Sequence, residues 1–290
     1  MNNPDEVLLK TDYLKILLDY YYPFYFFALY RAHELYSVEP FIDLLKPPIL
    51  DVGCGDGFIS SLLFGRQIDF GIDPSLDEVD KAEKSKAYRQ IFVGDARNIP
   101  LESNSLGGVF SNCVLEHISQ VEVLLGEISR VLKPNAYFVA TALSPSYYDL
   151  NPIFRWSDRR GLRWLRTRMI HAENVLHNHV TVLDKYAYAN RLASVGMTLE
   201  VHTYYCSDEI ADFCTGWDTL SKYVIPYPAC LTHGGVLTKY LVARYGRQRA
   251  ERRLDLWYKR FSSLCYRRNE AGGANKGVGQ ILVAKKGVPG

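Results

Sequence analysis

No two of the six cysteines (Cys54, Cys113, Cys206, Cys214, Cys230 and Cys265) stand at the C-x-x-C spacing of a zinc site or a redox pair. No metal site is expected. A chain of 290 residues needs no disulfide staples, so the thiols read as reduced and the protein as cytoplasmic. A long apolar run free of charge is also missing. The nearest approach is YLKILLDYYYPFYFFALYRAHELY, from Tyr13 to Tyr36. Lys15, Asp19 and Arg31 interrupt it and Pro23 divides it, which argues against a membrane span. The run reads as two helices covering a pocket, with a surface contact to a bilayer left open. The first ten residues, MNNPDEVLLK, lack the plan of a secretory signal. There is no internal repeat and no low-complexity tract. Strong net charge is absent too: the formal charge is +2. With no recognisable RNA-binding module, nucleic acid is not an expected partner.

What charge there is sits unevenly. Residues 155–168 hold six Arg against one Asp, and residues 239–268 hold ten Lys and Arg against two acids. Both stretches mix arginine with aromatics, as suits phosphates or a lipid surface, although a solvated helix face has the same composition. They are the candidate points of peripheral membrane contact.

Apolar residues make up 48% of the chain, enough for a sizeable core. Residues 5–45 read as helices broken at Pro23 and closed by Lys46–Pro48. A regular alternation follows. PILDVG, IDFGID, RQIFVGDA, LGGVFSN and AYFVATA read as strands. GFISSLLFG, SLDEVDKAEKSKA and VEVLLGEISRVLKP read as the helices between them, the last stopped by Pro134. Short strands alternating with helices imply a parallel, doubly wound α/β sheet. Residues 144–180 hold no clear strand. LDKYAYANRLASVG reads as a helix ended by Gly196, MTLEVHTYY as a sixth strand and VGQILVAKKG as a last one. The expected organisation is an N-terminal helical cap over 1–46 and one domain over 47–290, with insertions at about 144–180 and 207–272.

ILDVGCGDGF places Gly53, Gly55 and Gly57 between the first strand and its helix. Glycines there let backbone N–H groups crowd a ligand, or simply make a tight turn. Asp73 ends the second strand, where a carboxylate can accept two hydrogen bonds from a ribose diol. Asp95 ends the third, facing the same crevice. Each acid alone could be a loop residue or a helix cap. Their joint placement describes a nucleoside site.

The phrases LDVGCGDG, GIDPS, GDARNIPLESNS, VLEHI and EISRVLKP, in that order, resemble the core of the class I S-adenosylmethionine-dependent methyltransferases. The resemblance covers Ile49 to Ala142. It implies a seven-stranded, mostly parallel, Rossmann-like sheet whose final strand inserts antiparallel. It also implies S-adenosyl-L-methionine as cofactor. Asp51 and the loop Gly53, Cys54, Gly55 and Gly57 would hold its methionine part and Asp73 its ribose. Asp95 and Ala96 would hold the adenine, and Ser111 and Asn112 would approach the amino and carboxylate groups. Phe58 reads as helix–sheet packing. The chain departs from the family pattern at Gly107–Gly108 and at LKPNA.

A sulfonium methyl is already activated, so the protein must chiefly align the nucleophile. If that nucleophile is a hydroxyl, a base helps. His117, His177 and His179 are the candidate catalytic residues, with His171 and His33 behind them. HNH at 177–179 matches a nuclease motif in letters, but its metal-binding context is missing. The expected activity is methyl transfer to a small-molecule acceptor, at a hydroxyl oxygen. The alternative is a lipid or lipid-linked anionic acceptor at a membrane surface. A nicotinamide-dependent oxidoreductase and a non-catalytic cofactor-binding subunit fit the residues less well.

Overall fold

The computed structural model describes residues 11–21, 25–206 and 276–288, together with 210, 211, 258, 259 and 262. The insertion expected at 207–272, the basic stretch 239–268, and Cys214, Cys230 and Cys265 lie outside the described residues, apart from those five positions.

Strand β1 (Ile49–Val52) is four residues long and buried throughout. That is what an apolar run becomes when both faces of a sheet are covered. Around it stand β2 (Ile68–Asp73), β3 (Tyr88–Val93), β4 (Leu106–Asn112), β5 (Leu132–Leu143), β6 (Met197–Tyr205) and β7 (Gly279–Lys286). The order is β3-β2-β1-β4-β5-β7-β6. The first five strands are parallel, and β7 runs antiparallel between β5 and β6. The seven-stranded, mostly parallel sheet expected from the sequence is therefore present. Chain order reverses between β1 and β4. A doubly wound sheet opens its ligand crevice at the carboxyl ends of such a pair.

Helices cover both faces. On one lie α1 (Tyr13–Tyr20), α2 (Tyr25–Ile42) and α3 (Phe58–Phe64). Leu14, Leu17, Leu29 and Leu35 of the first two share a buried layer with Ile49, Phe110 and Val139 of the sheet. Each such leucine contributes about 1.5–3 kcal/mol on burial, so α1 and α2 are part of the core rather than a detachable lid. Asp12 caps α1 by accepting from the Lys15 N–H at 3.2 Å. The opposite layer joins Leu50, Val52, Val109 and Phe138 to α5 (Val121–Val131) and α9 (Lys185–Ser194). Helix α4 (Leu76–Ser85) runs between β2 and β3, its cap Ser75 accepting from the Glu78 N–H. No helix among the described residues is long and apolar enough to cross a membrane.

Three details differ from the sequence reading. The helix expected to run to Pro134 ends at Val131, and β5 begins at Leu132. The ladder jumps from Leu106↔Leu132 to Gly108↔Tyr137, so Lys133–Asn135 are exposed and Pro134 owes the sheet no N–H. Asn135 takes φ 66°, a conformation asparagine tolerates. Strand β3 stops at Val93, so Asp95 sits two residues beyond its tip. Gly107 and Gly108 have a packing reason. A Cβ on Gly107 would lie 2.3 Å from the Lys46 carbonyl oxygen, and one on Gly108 2.9 Å from the Leu45 Cβ. The chain leaving α2 presses directly on the start of β4.

The strandless stretch after β5 forms α6 (Ser146–Leu150), α7 (Pro152–Arg159) and α8 (Arg163–His177). Asn151 starts α7 by accepting from the Ile153 N–H at 3.1 Å. Arg166 ties α8 back through Asp149 at 2.8 Å and Asp158 at 2.9 Å.

Candidate active site

The glycine turn sits at the tip of β1. Gly53, Gly55 and Gly57 have φ of 70°, 51° and 76°, all in the left-handed region. A Cβ on Gly53 would lie 2.3 Å from a Val114 methyl, whereas one on Gly55 would meet nothing within 4 Å. The turn is thus closed against β4 at its first glycine and open at its second. Most of its N–H groups are spent within the protein. Those of Gly53 and Cys54 donate to the Ile72 carbonyl at 2.8 and 3.2 Å, and that of Gly57 to the Cys54 carbonyl at 3.0 Å. The Gly55 N–H donates to Asp73 Oδ2 at 2.9 Å. The donors expected to crowd a ligand instead hold the turn in shape, and openness at Gly55 is what it offers. The Cys54 thiol is buried and pushed up by burial and by Asp51.

Asp73, the last residue of β2, accepts from Gly55 with one oxygen and from the Ser75 N–H with the other, at 2.9 Å. Asp95 is half-exposed and gripped by Arg97, whose guanidinium also reaches Ser119 and Gln120. Arg97 holds the Asp95 carboxyl below the usual carboxylate range. Ala96 is buried beside it. Ser111 is fully buried and donates to the Val52 carbonyl at 3.1 Å, which ties β4 to β1.

Asp51 is the third residue of β1. It is buried and accepts from the Tyr88 hydroxyl at 2.6 Å. Burial lifts its carboxyl to about 6, against hydrogen bonds from Ser60 and Tyr88 that pull it down. The unfolded value is about 3.9. The folded state therefore holds this proton more tightly, and the stability it confers is full below pH 4 and lost as pH rises through 6. Asp51→Asn is expected to gain on the wild type by on the order of 2 kcal/mol between pH 4 and 7. Urea midpoints at both pH values check this, and a difference independent of pH would contradict it.

The sequence-predicted histidines separate into two groups. His117, on a single 3-10 turn (Leu115–His117) after β4, has its ring 5.3 Å from that of His179, which lies 5.4 Å from His177. The three come together although sixty residues part the first from the others. His117 Nδ1 donates to the Asn178 carbonyl at 3.1 Å, which assigns the lone pair of the neutral ring to Nε2. His177 approaches the buried Glu173 at 3.4 Å. His171 lies exposed on α8, and His33 is buried, its Nδ1 accepting from the Cys206 N–H at the end of β6. Phe58 stacks on Tyr20 of α1 at 3.9 Å and packs against the buried layer that holds Ile49 and Phe110 of the sheet. Tyr20 also donates to Asp56 in the glycine turn at 3.0 Å.

The sequence reading missed a polar cluster between α2 and the tips of β4, β5 and β6. Arg31 and Glu34, three residues apart on α2, form an ion pair of 2.5 Å. Asn112 accepts from Arg31 and donates to Glu34 at 2.9 Å and to Thr141 at 2.7 Å. Glu34 also accepts from the Cys113 thiol at 3.0 Å and the Tyr205 hydroxyl at 2.9 Å. Tyr30 bonds Tyr205 at 3.2 Å. Burial pushes the Cys113, Tyr30 and Tyr205 groups up, so they remain protonated donors. The available signal was two opposite charges at helical spacing inside the aromatic run.

Strand order, an antiparallel last strand and a glycine turn at the switch point define a doubly wound, Rossmann-like domain with its crevice at the tips of β1 and β4. Residues 50–140 match the family model of a methyltransferase domain. Over 121 residues the chain is 29% identical to a malonyl-[acyl-carrier protein] O-methyltransferase of Legionella pneumophila, covering 40% of this chain and 43% of that one. It is 30% identical over 124 residues to a fatty-acid O-methyltransferase of Mycolicibacterium smegmatis, covering 41% and 45%. The chain thus spans less than half the length of these relatives. A methyltransferase structure from Thermotoga maritima shares the fold at a TM-score of 0.52 and 13% identity, over 94% of this chain and 97% of that one.

Proposed function

We propose that the protein is an S-adenosylmethionine-dependent methyltransferase that places the methyl on an oxygen of a small-molecule acceptor. One observation carries this. The open glycine turn, Asp73 and Asn112 converge at the tips of β1, β2 and β4, within the segment that matches the methyltransferase domain. The names of the relatives, both O-methyltransferases, support oxygen as the acceptor atom. The residues fit the cofactor, since a Cβ at Gly55 would fill space that no protein atom occupies. Bound there, it supplies an electrophilic methyl on a sulfonium that departs as a neutral thioether. Asp73 would take the ribose hydroxyls, Asp95 and Ala96 the adenine. The turn Gly53, Cys54, Gly55 and Gly57, braced from below by Asp51 and Ser111, would flank the amino-acid part. His117, whose Nδ1 is held by the Asn178 carbonyl, with the ring of His179 beside it, would accept a hydroxyl proton through Nε2. Asn112 joins the tip of β4 to α2.

A screen with methyl-labelled cofactor against hydroxylated and carboxylated acceptors tests the reading. Label recovered as a methyl ether or ester is the expected result. Adenosylhomocysteine binding without transfer to any acceptor would overturn the enzymatic claim.

A second reading, of an anionic or lipid-linked acceptor, is favoured by α7 and α8. Their outward face carries Trp156 and Trp164, 46% and 63% exposed, with Val175 and Leu176. Arg159, Arg160, Arg163 and Arg168 are exposed beside them, and the one acid of residues 155–168, Asp158, is engaged by Arg166. Tryptophan with arginine suits an anionic headgroup layer. Co-sedimentation with anionic vesicles that falls with salt would support it, and no binding would remove it.

A further inference from the structure

We propose that Arg31 and Glu34 are a binding subsite for the zwitterionic α-amino-acid end of the cofactor, Arg31 taking its carboxylate and Glu34 its ammonium. This deepens the cofactor reading above and rests on it.

Position is the first argument. Val52 pairs with Ser111 in the sheet, so the residues that follow them, Gly53 and Asn112, lie side by side at the switch point. Asn112 bonds both Arg31 and Glu34. The ion pair therefore borders the turn at the place where the chain order opens a crevice. The sequence resemblance assigns the amino-acid end to Asn112 and Ser111. Ser111 is spent on the Val52 carbonyl, and Asn112 reaches outward only to these two charges and to Thr141.

Energetics is the second. Glu34 is fully buried and Arg31 is 9% exposed, on a helix that also buries Leu29, Ala32, His33 and Leu35. Burying both charges costs desolvation that apolar residues of the same size avoid. A pair kept there for packing alone gains little. The Arg31 Nε is buried and finds no hydrogen-bond acceptor among the described residues. An orphaned donor of this kind is costly, and a carboxylate on that side of the guanidinium would satisfy it.

Charge pattern is the third. An α-amino acid presents a carboxylate and an ammonium on one carbon, the inverse of the Arg31–Glu34 pair. Its arrival exchanges one ion pair for two, and no unpaired charge is left buried. Cys113, Tyr205 and Asn112 all donate to the same Glu34 oxygen, which fixes the carboxylate in position for a cationic partner.

The experiment compares two ligands by calorimetry on the full chain. S-adenosylhomocysteine carries the amino-acid end, and 5′-methylthioadenosine keeps nucleoside and sulfur without it. Arg31→Met and Glu34→Gln are each expected to weaken adenosylhomocysteine by 10-fold or more while methylthioadenosine changes less than threefold. Arg31→Lys should recover part of the loss, keeping the charge without the fork. Equal weakening of both ligands, or no weakening of adenosylhomocysteine, would overturn the subsite. Should the variants fail to fold, the wild type decides alone. Analogues of adenosylhomocysteine lacking the carboxylate or the amine must each bind at least 10-fold more weakly, and analogues as tight as the parent would overturn the proposal. A wild type that binds neither nucleoside is a different failure. It removes the cofactor reading itself, and the subsite with it.

Discussion

Gly55→Ala and Gly53→Ala are expected to fail in opposite ways. At Gly53 an added methyl would lie 2.3 and 2.9 Å from the two Val114 methyls, with φ at 70°. Left-handed strain costs about 1–2 kcal/mol and an overpacked methyl about 1–3. Gly53→Ala should therefore lose about 2–5 kcal/mol of folding stability, read as a shifted urea midpoint. Adding Val114→Ala should return the overpacking share and leave the strain. At Gly55 no atom lies within 4 Å of the same methyl. The fold should lose only the strain, about 1–2 kcal/mol. The space the methyl takes is the open side of the turn, so adenosylhomocysteine affinity should fall at least 30-fold in a well-folded protein. A Gly55→Ala variant that binds like the wild type would show that the ligand does not approach this glycine.

The same pair shows what could be read from residues and what could not. Strands β1, β2 and β4 are short apolar runs bounded by glycine or acid, and their ends follow from that pattern alone. The positive φ at Gly53, Gly55 and Gly57 follows from three glycines between a strand and a helix. The assignment of each glycine's role does not, because Val114 is sixty residues away. Pro134 read as a helix stop. The helix ends three residues earlier, and the proline rides a bulge inside β5 whose existence depends on the Leu106 and Gly108 pairings. Gly107 and Gly108 have no cause within their own segment, because the chain that lies across them, Leu45 to Pro47, is about sixty residues away. Arg31 is legible as an interruption of an aromatic run, whereas Glu34 stands out only by its spacing from Arg31. The partners of Glu34, Asn112 and Tyr205, lie 78 and 171 residues from it in the chain. The histidines were named singly by motif position, and only the return of the chain through α8 stacks His177 and His179 beside His117.

Asp73→Ala should weaken the cofactor by about 1–3 kcal/mol, roughly 5- to 150-fold, the scale of hydrogen bonds to a charged group. The carboxylate holds two things at once. Its oxygens accept from the Gly55 and Ser75 N–H groups, and each keeps a lone pair free for a further donor. Loss of affinity could come through the turn or through the sugar, and a double-mutant cycle with the ligand separates them. Against 2′-deoxy and 3′-deoxy adenosylhomocysteine, the alanine substitution should cost much less than against the parent if Asp73 grips the ribose diol. Asp73→Asn keeps one acceptor, enough for Gly55 or Ser75 but not both, and removes the charge. It should lower the fold's urea midpoint by the loss of one hydrogen bond, about 1 kcal/mol, and lose most of the discrimination between ribose and deoxyribose. An equal cost of Asp73→Ala on all three ligands would assign the acid to the turn alone, and the sugar would have to be held by another group at the tip of β2.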